Sequence, residues 1–212
     1  MFCGDLHVHT SHSYDGFCSI EKAVKVAKAK GLNGIAIADH NSIDGHRKAR
    51  ELSNENFLVI LGIEVSSIAG HIVGLGVNEA IPGDLTAEET IEKIRGQGGI
   101  AIAAHPFRLK RSSELLKAKF DAIEAFNSRN FLGNRLAREF AEANNLPMTA
   151  GSDAHFCEEI GLAGVKIDCQ LELDSVLKSI KKGETSIFGR NLPVLNYMKG
   201  AMYKVLHGKF RH

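Results

Sequence analysis

Gly34-Ile35-Ala36-Ile37-Ala38-Asp39-His40 is an unbroken apolar run that ends in an acid and an imidazole. So short a run reads as a strand covered on both faces, as in a parallel sheet. Residues 19–30, just before it, read as a helix. Ser19 is the N-cap, Ile20, Ala23, Val24 and Ala27 share one side, and Gly31 is the stop. Residues 2–9 read as another strand. Onward, a polar helix is expected over about 42–53, then strands at 57–65 and 71–77 joined by a turn at Ala69-Gly70. Thr86-Ala87-Glu88-Glu89 is a capping box that opens a helix running to about Gly96. Strands follow at 100–104, 120–126, 147–151 and 164–167, with helices at 131–144 and 173–182 and a helical tail from Pro193. The alternation predicts a parallel α/β fold with right-handed crossovers.

The chain has 212 residues, 44% hydrophobic and 24% charged, as in an ordinary globular protein. That length buries a large core without disulfides or a structural metal, so a bound metal would serve chemistry. Residues 1–190 are expected as one unit and 191–212 as a basic helical tail packed on it or extending from it. The tail carries Lys199, Lys204, Lys209 and Arg211 beyond Arg190 and has no acid. It reads either as a solvated helix or as a docking patch for a phosphate-rich substrate or partner. A net charge of +1 gives no global case for a nucleic-acid or membrane partner. The chain has no glycine loop of the GxGxxG or GxxxxGK[ST] type to cradle a nucleotide. The four cysteines, Cys3, Cys18, Cys157 and Cys169, form no CxxC pair. With no signal peptide and no apolar run of membrane length, a cytoplasmic location with reduced thiols is expected. Cys157, close to Asp153 and His155, reads as a small apolar filler or as a metal contact.

Six of the ten histidines, His7, His9, His40, His71, His105 and His155, stand at or just after apolar runs. Asp15, Glu64 and Asp153 stand there too or within a few residues. In an α/β barrel the strand ends converge on one face, so these nine groups would share one cleft. His7 and His9 alternate along a strand and so point to the same side, as ligands of one ion or as a packed pair. Asp15, beside Gly16, is a ligand or a turn former. Asp39 is read as an acceptor for a neighbouring imidazole or as the start of an Asx turn. Glu64, inside an apolar run, needs a partner, because a lone buried carboxylate is very costly. That partner is a metal, which Glu64 could bridge to a second, or a basic side chain. Pro106 should hold His105 in extended geometry. Asp153 and His155 repeat the alternate spacing. Together these elements point to a metal centre.

The pattern resembles the polymerase and histidinol phosphatase (PHP) family. The resemblance lies in Asp5-Leu-His7-Val-His9-Thr, Ser13-Tyr-Asp15-Gly16, Ala36-Ile-Ala-Asp39-His40-Asn-Ser, Gly62-Ile-Glu64, His71-Ile-Val-Gly-Leu, Ala104-His105-Pro106 and Gly151-Ser-Asp153-Ala-His155, and covers roughly residues 1–165. It implies a distorted seven-stranded (β/α) barrel, TIM-barrel-like, with a trinuclear site. By analogy His7, His9, Glu64 and Asp153 would hold one ion, Glu64, His71 and His105 a second, and Asp15, His40 and His155 a third. Zn²⁺, Mn²⁺ or Fe²⁺ would suit these donors.

The activity implied is hydrolysis of a phosphate ester, on a nucleotide or an oligonucleotide end, by a hydroxide held between ions at Glu64. Besides Glu64 and Asp153, Arg108 is the candidate phosphate clamp or a surface arginine, and His12 a proton donor, substrate contact or exposed loop residue. Arg129 and Asn127 are rim candidates. The alternatives are a phosphatase for a small metabolite such as histidinol phosphate, or a non-catalytic metal-binding module of a larger complex. An amidohydrolase-like barrel also uses an HxH pair but often needs a bridging lysine, and no lysine here ends a strand.

Overall fold

The central strands are buried on both faces, and successive apolar side chains fall alternately into an inner and an outer set, a division that builds the barrel. The computed structural model describes residues 1–108, 112–193 and 196–197. In chain order they form β1 (Phe2–Val8), α1 (Ile20–Ala29), β2 (Gly34–Ile37), α2 (His46–Leu52), β3 (Leu58–Ser67), β4 (Gly70–Leu75), α3 (Ala87–Gly96), β5 (Ile100–Ala103), α4 (Ser112–Leu115), β6 (Ala122–Asn127), α5 (Asn134–Ala143), β7 (Met148–Gly151), β8 (Ala163–Ile167), α6 (Leu173–Lys181) and β9 (Ser186–Gly189). Ala36, Ile60, Val73, Ile102 and Ala122 point inward and, with Val176 and Ile180 of α6, fill the barrel. Their strand neighbours point outward. Ile35, Ile37 and Val59 pack with α1, and Ile72, Ala101, Ala103 and Ile123 with α3 and α5.

The strand order is β7-β6-β5-β4-β3-β2-β1-β8-β9. The distorted (β/α) barrel forms as expected, with nine strands rather than seven. The sheet is mixed, whereas strand–helix alternation predicted a parallel one. The short turn between β3 and β4 makes them an antiparallel hairpin, and β4–β5, β1–β8 and β8–β9 are antiparallel as well. β7 returns beside β1 and nearly closes the ring. There the Asp153 N–H donates to the His7 carbonyl at 2.9 Å, and the His9 N–H to the Ala154 carbonyl at 2.9 Å.

Local signals hold up in detail. The Ser19 side chain caps α1, and Thr86 and Glu89 form the reciprocal capping box of α3. The polar helix begins at His46, later than its sequence suggested, because 41–45 turn to reach it. β9 went unread because it is short and half exposed. Of the expected tail, only 191–193 and 196–197 are described; the remainder lies outside the described residues. Among the described residues no helix is long and apolar enough to cross a membrane.

The thiols need one correction. Cys18 and Cys157, expected to be reduced, form a disulfide across a sequence separation of 139 residues, and Cys157 is neither a filler nor a metal contact. No spacing rule links cysteines so far apart; only the meeting of the β1 and β7 ends does so. Cys3 and Cys169 are free.

β8 lies so close to β1 that a Cβ on Gly164 would come within 2.2 Å of the Gly4 carbonyl oxygen. Backbone cannot yield as a side-chain tip does. Gly164→Ala should therefore cost about 1–3 kcal/mol of stability. The denaturant midpoint should fall while the slope of the transition stays unchanged.

Candidate metal centre

Pairing between β1 and β2 slips between Asp5 and Val8. Leu6 belongs to the inner cluster and Val8 to the outer one, so the slip reverses the alternation and turns His7 and His9 inward. β3 contributes Glu64, and β2, β5 and β7 lead into His40, His105 and Asp153. His71 arrives differently. It opens an antiparallel strand, and the hairpin turn lies at the same rim, opposite Ser66.

These strands surround one carboxylate. Glu64 is fully buried. Its Oε1 lies 2.9 Å from His71 Nδ1 and 2.9 Å from His105 Nε2. Its Oε2 lies 3.2 Å from each of His7 Nε2, His9 Nε2 and His40 Nδ1. Asp153 Oδ1 is 3.2 Å from His9 Nε2, and Asp15 Oδ2 is 2.9 Å from His155 Nε2 and 3.8 Å from His40 Nε2.

Among the described residues, buried side-chain polar atoms without a hydrogen-bond partner include His7 Nε2, both ring nitrogens of His9, His40 Nδ1 and Glu64 Oε2. Such orphans are costly and rare in a folded chain. Here they lie near one another without hydrogen-bond geometry, as lone pairs do around a cation. Among the described residues, four triads have ligand atoms within 4.8 Å of one another: His7-His9-Asp153, His7-Glu64-His105, His40-Glu64-His71 and His9-His40-His155. Imidazole and carboxylate donors of this kind fit Zn²⁺, Mn²⁺ or Fe²⁺.

The electrostatics agree. Burial alone would raise the Glu64 carboxyl, but His40, His7 and His71 hold it well below the ordinary range. Asp153 is likewise depressed despite its burial, through Arg108 and His7. Burial disfavours charge on His9, yet neighbouring Asp153 and Glu64 push its pKa up to about 9. For His40 burial prevails, and its pKa falls to about 3. Without a cation the cluster thus holds protons on some rings and excludes them from others.

Beneath the candidate ligands lie supports that sequence reading passed over. Glu124 Oε1 accepts from His7 Nδ1 at 2.9 Å, and its Oε2 accepts from the His105 N–H at 2.6 Å and from Asn127 Nδ2 at 2.9 Å. That fixes which His7 nitrogen faces the site. The available signal was an acid inside the apolar run of β6, alternate to inward-facing Ala122. Asp5, fully buried, accepts from Ser152 N at 2.9 Å and Gly161 N at 2.8 Å, tying β1 to the ends of β7 and β8. Glu159 accepts from the His155 N–H at 2.8 Å and from Arg129 at 2.6 Å.

Two local expectations are corrected. Among the described residues Asp39 bonds no imidazole; it accepts from Thr10 Oγ1 at 2.7 Å and from the Thr10 N–H, which steers the loop after His9. His105 is not extended. Its φ is +27°, because its N–H is drawn to Glu124 while its ring reaches Glu64, and those contacts outweigh the preference imposed by Pro106. Asp153 is also left-handed, with φ +56°.

The cluster opens into a cleft of about 250 Å³ lined by Tyr14, Asp15, His40, Glu64, His71, His105, Arg108, Arg129, Asp153 and His155. Arg108 Nη1 donates to Asp153 Oδ2 at 2.7 Å. Arg129 Nε donates to the Asp153 carbonyl at 2.8 Å. Tyr14 stacks on His40 with ring centres 5.0 Å apart, and burial with the Asp15 charge pushes its phenol up to about 12. Asn127 is buried behind Glu124 rather than at the rim. His12 is exposed and outside the cleft lining, its ring set against Gly45.

The PHP domain family matches residues 5–124, and the PHP-associated family matches 132–185. An uncharacterized protein of Methanocaldococcus jannaschii is 39% identical over 149 residues, 63% of this chain and 87% of its own length. A second uncharacterized protein of that organism is 35% identical over 178 residues, 76% of this chain and 69% of its own. PsfC from Pseudomonas syringae superimposes with a TM-score of 0.72 at 17% identity over 97% of this chain and 98% of that one, a likeness of fold.

Two outcomes follow from this geometry. Glu124→Gln should weaken Mn²⁺ binding about 10–100-fold while the thermal midpoint barely moves, as read by calorimetric titration. In the metal-free chain His9 keeps its proton until the pH climbs past about 9. A ligand imidazole must be neutral, so metal uptake at neutral pH should release protons, and affinity should rise as the pH rises toward that value. Titration in two buffers of different ionisation enthalpy measures the release.

Proposed function

This chain belongs to the PHP domain family, and on that premise we propose that it is a metal-dependent phosphoesterase acting on a nucleotide or on the end of an oligonucleotide. The observation that carries this reading is the set of orphaned ligand atoms around Glu64, opening into a cleft that also holds two arginines. A module that only stored metal would have little use for a guanidinium in the cleft such as that of Arg108.

His7, His9, Glu64 and Asp153 would hold one divalent ion, Glu64, His71 and His105 a second, and Asp15, His40 and His155 a third. Zn²⁺, Mn²⁺ and Fe²⁺ all suit these donors. When bound, such ions supply Lewis acidity, which makes water acidic enough to attack near neutral pH and offsets the charge of a phosphate.

The protein's own groups do the rest. Glu64 and Asp153 stay ionised across the working pH range, because their surroundings hold both well below ordinary carboxylates. Arg108 lies at the cleft with one guanidinium nitrogen on Asp153, and its planar fork matches a phosphate arriving there bidentately. Arg129 is committed to the Asp153 carbonyl and Glu159, so it fixes the segment carrying Asp153 and His155. Tyr14 keeps its proton and presents a half-exposed ring at the mouth, a surface on which a base can stack. That ring favours nucleotides over sugar phosphates. His12 takes no part in this reading.

Assays with Mn²⁺ on a mononucleotide, a 5′-phosphorylated short RNA and a sugar phosphate test the proposal. The nucleotide substrates should be turned over faster; equal or faster turnover of the sugar phosphate would refute the nucleotide assignment. Glu64→Gln should lose both metal and activity, and full turnover in that variant would overturn the metal-centre reading. Arg108→Ala should lower kcat/KM about 100-fold, with Arg108→Lys recovering only part of it.

A further inference from the structure

Asp15 and His155 sit on segments held together in a way the other candidate ligands are not. Asp15 lies in an irregular stretch between His9 and the start of α1, and His155 in the turn after β7. Across the gap the Phe17 N–H donates to the His155 carbonyl at 2.8 Å, and Asp15 Oδ2 meets His155 Nε2 at 2.9 Å. The Phe17 and Phe156 rings stack at 4.9 Å. Next to these contacts Cys18 and Cys157 are covalently joined, within a cluster that includes Val8, Ile20, Ala23 and Ala154. Every one of these links joins the same two segments, and the bond lies three residues from Asp15 and two from His155. His7 and Glu64, by contrast, are set by strand pairing, and His105 by its N–H bond to Glu124.

From this we propose that the Cys18–Cys157 bond positions the Asp15–His40–His155 part of the metal centre and acts as a redox-sensitive latch on it. The proposal rests on the metal-centre reading and goes beyond it. With the bond intact, the loop bearing Asp15 has little freedom to lose when a cation binds. When it is cut, part of the binding free energy must go into ordering the loop. Reduction by a small dithiol breaks the S–S bond and gives two chain thiols. The two electrons and two protons come from the dithiol, which closes into its own disulfide. Both cysteines are buried, so exchange should be slow and should require local opening.

The probe is Mn²⁺ alone, because manganese favours oxygen and nitrogen donors over the freed thiols. Thiols are counted in denaturant, and Mn²⁺ affinities are measured by equilibrium dialysis before and after anaerobic reduction and removal of the dithiol. The oxidised chain should expose two thiols, those of Cys3 and Cys169, and the reduced chain all four. On reduction one class of Mn²⁺ site should weaken about 10–100-fold while the others change less than about twofold, and reoxidation should restore it. The double variant Cys18→Ala with Cys157→Ala should bind like the reduced chain whether or not dithiol is added. Asp15→Asn should lose the sensitive ion in advance, so that reduction then changes nothing more. Unchanged affinities after four thiols have appeared would overturn the proposal. So would an equal loss at every site, which would mark the bond as a general staple, or four free thiols in the oxidised preparation. A folded, oxidised chain that bound no Mn²⁺ would refute the metal-centre reading itself and this proposal with it.

Discussion

A carboxylate with no access to water lies among five imidazoles at the centre of this molecule, and the rest of the structure is arranged around that fact. Glu64 cannot be left charged and alone, since burial of an unpaired carboxylate is too costly. Nor can all five rings be protonated, since like charges packed this closely repel. The metal-free cluster compromises by keeping His9 protonated and His40 neutral, and buried nitrogens remain without partners. A divalent cation held by these groups would relieve the conflict, because it would supply positive charge to the carboxylates without a proton on each ring.

Convergence of this kind needs a barrel that departs from regularity at chosen points. A slip in β1 turns His7 and His9 inward beside Glu64. An antiparallel hairpin brings the first residues of β4 to a rim otherwise made of strand ends, which is how His71 joins the cluster. Two candidate ligands, His105 and Asp153, have left-handed backbone, and each is held there by bonds from neighbouring strands. Strain at a site persists only where the surroundings over-determine it, and here Glu124, Asp5, Arg129 and Glu159 provide that support.

The candidate ligands differ in how they are held. Those at Glu64 stand on or just after paired strands of the sheet. Asp15 lies on a loop with no regular structure, and its placement depends on contacts with the turn that carries His155. A centre built this way would have one part set by strand pairing and one part set by contacts between a loop and a turn.

The apolar runs, the helix caps and the clustering of histidines and acids at strand ends were legible in the sequence because they depend on neighbours one to four residues away. From them came the α/β class, the bounds of most elements and the groups that meet around Glu64, while the barrel came from the resemblance those groups carry. Long-range pairing was not legible. The partnership of Glu124 with His7, the Cys18–Cys157 bond, the left-handed turn at His105 and the exclusion of His12 from the cleft all depend on which segments face each other after closure. The sequence by itself determined which side chains would be available and which local segments would carry them. Tertiary structure decided which of them touch, because contacts between residues far apart in the chain exist only once the barrel has nearly closed and brought β1 beside β7.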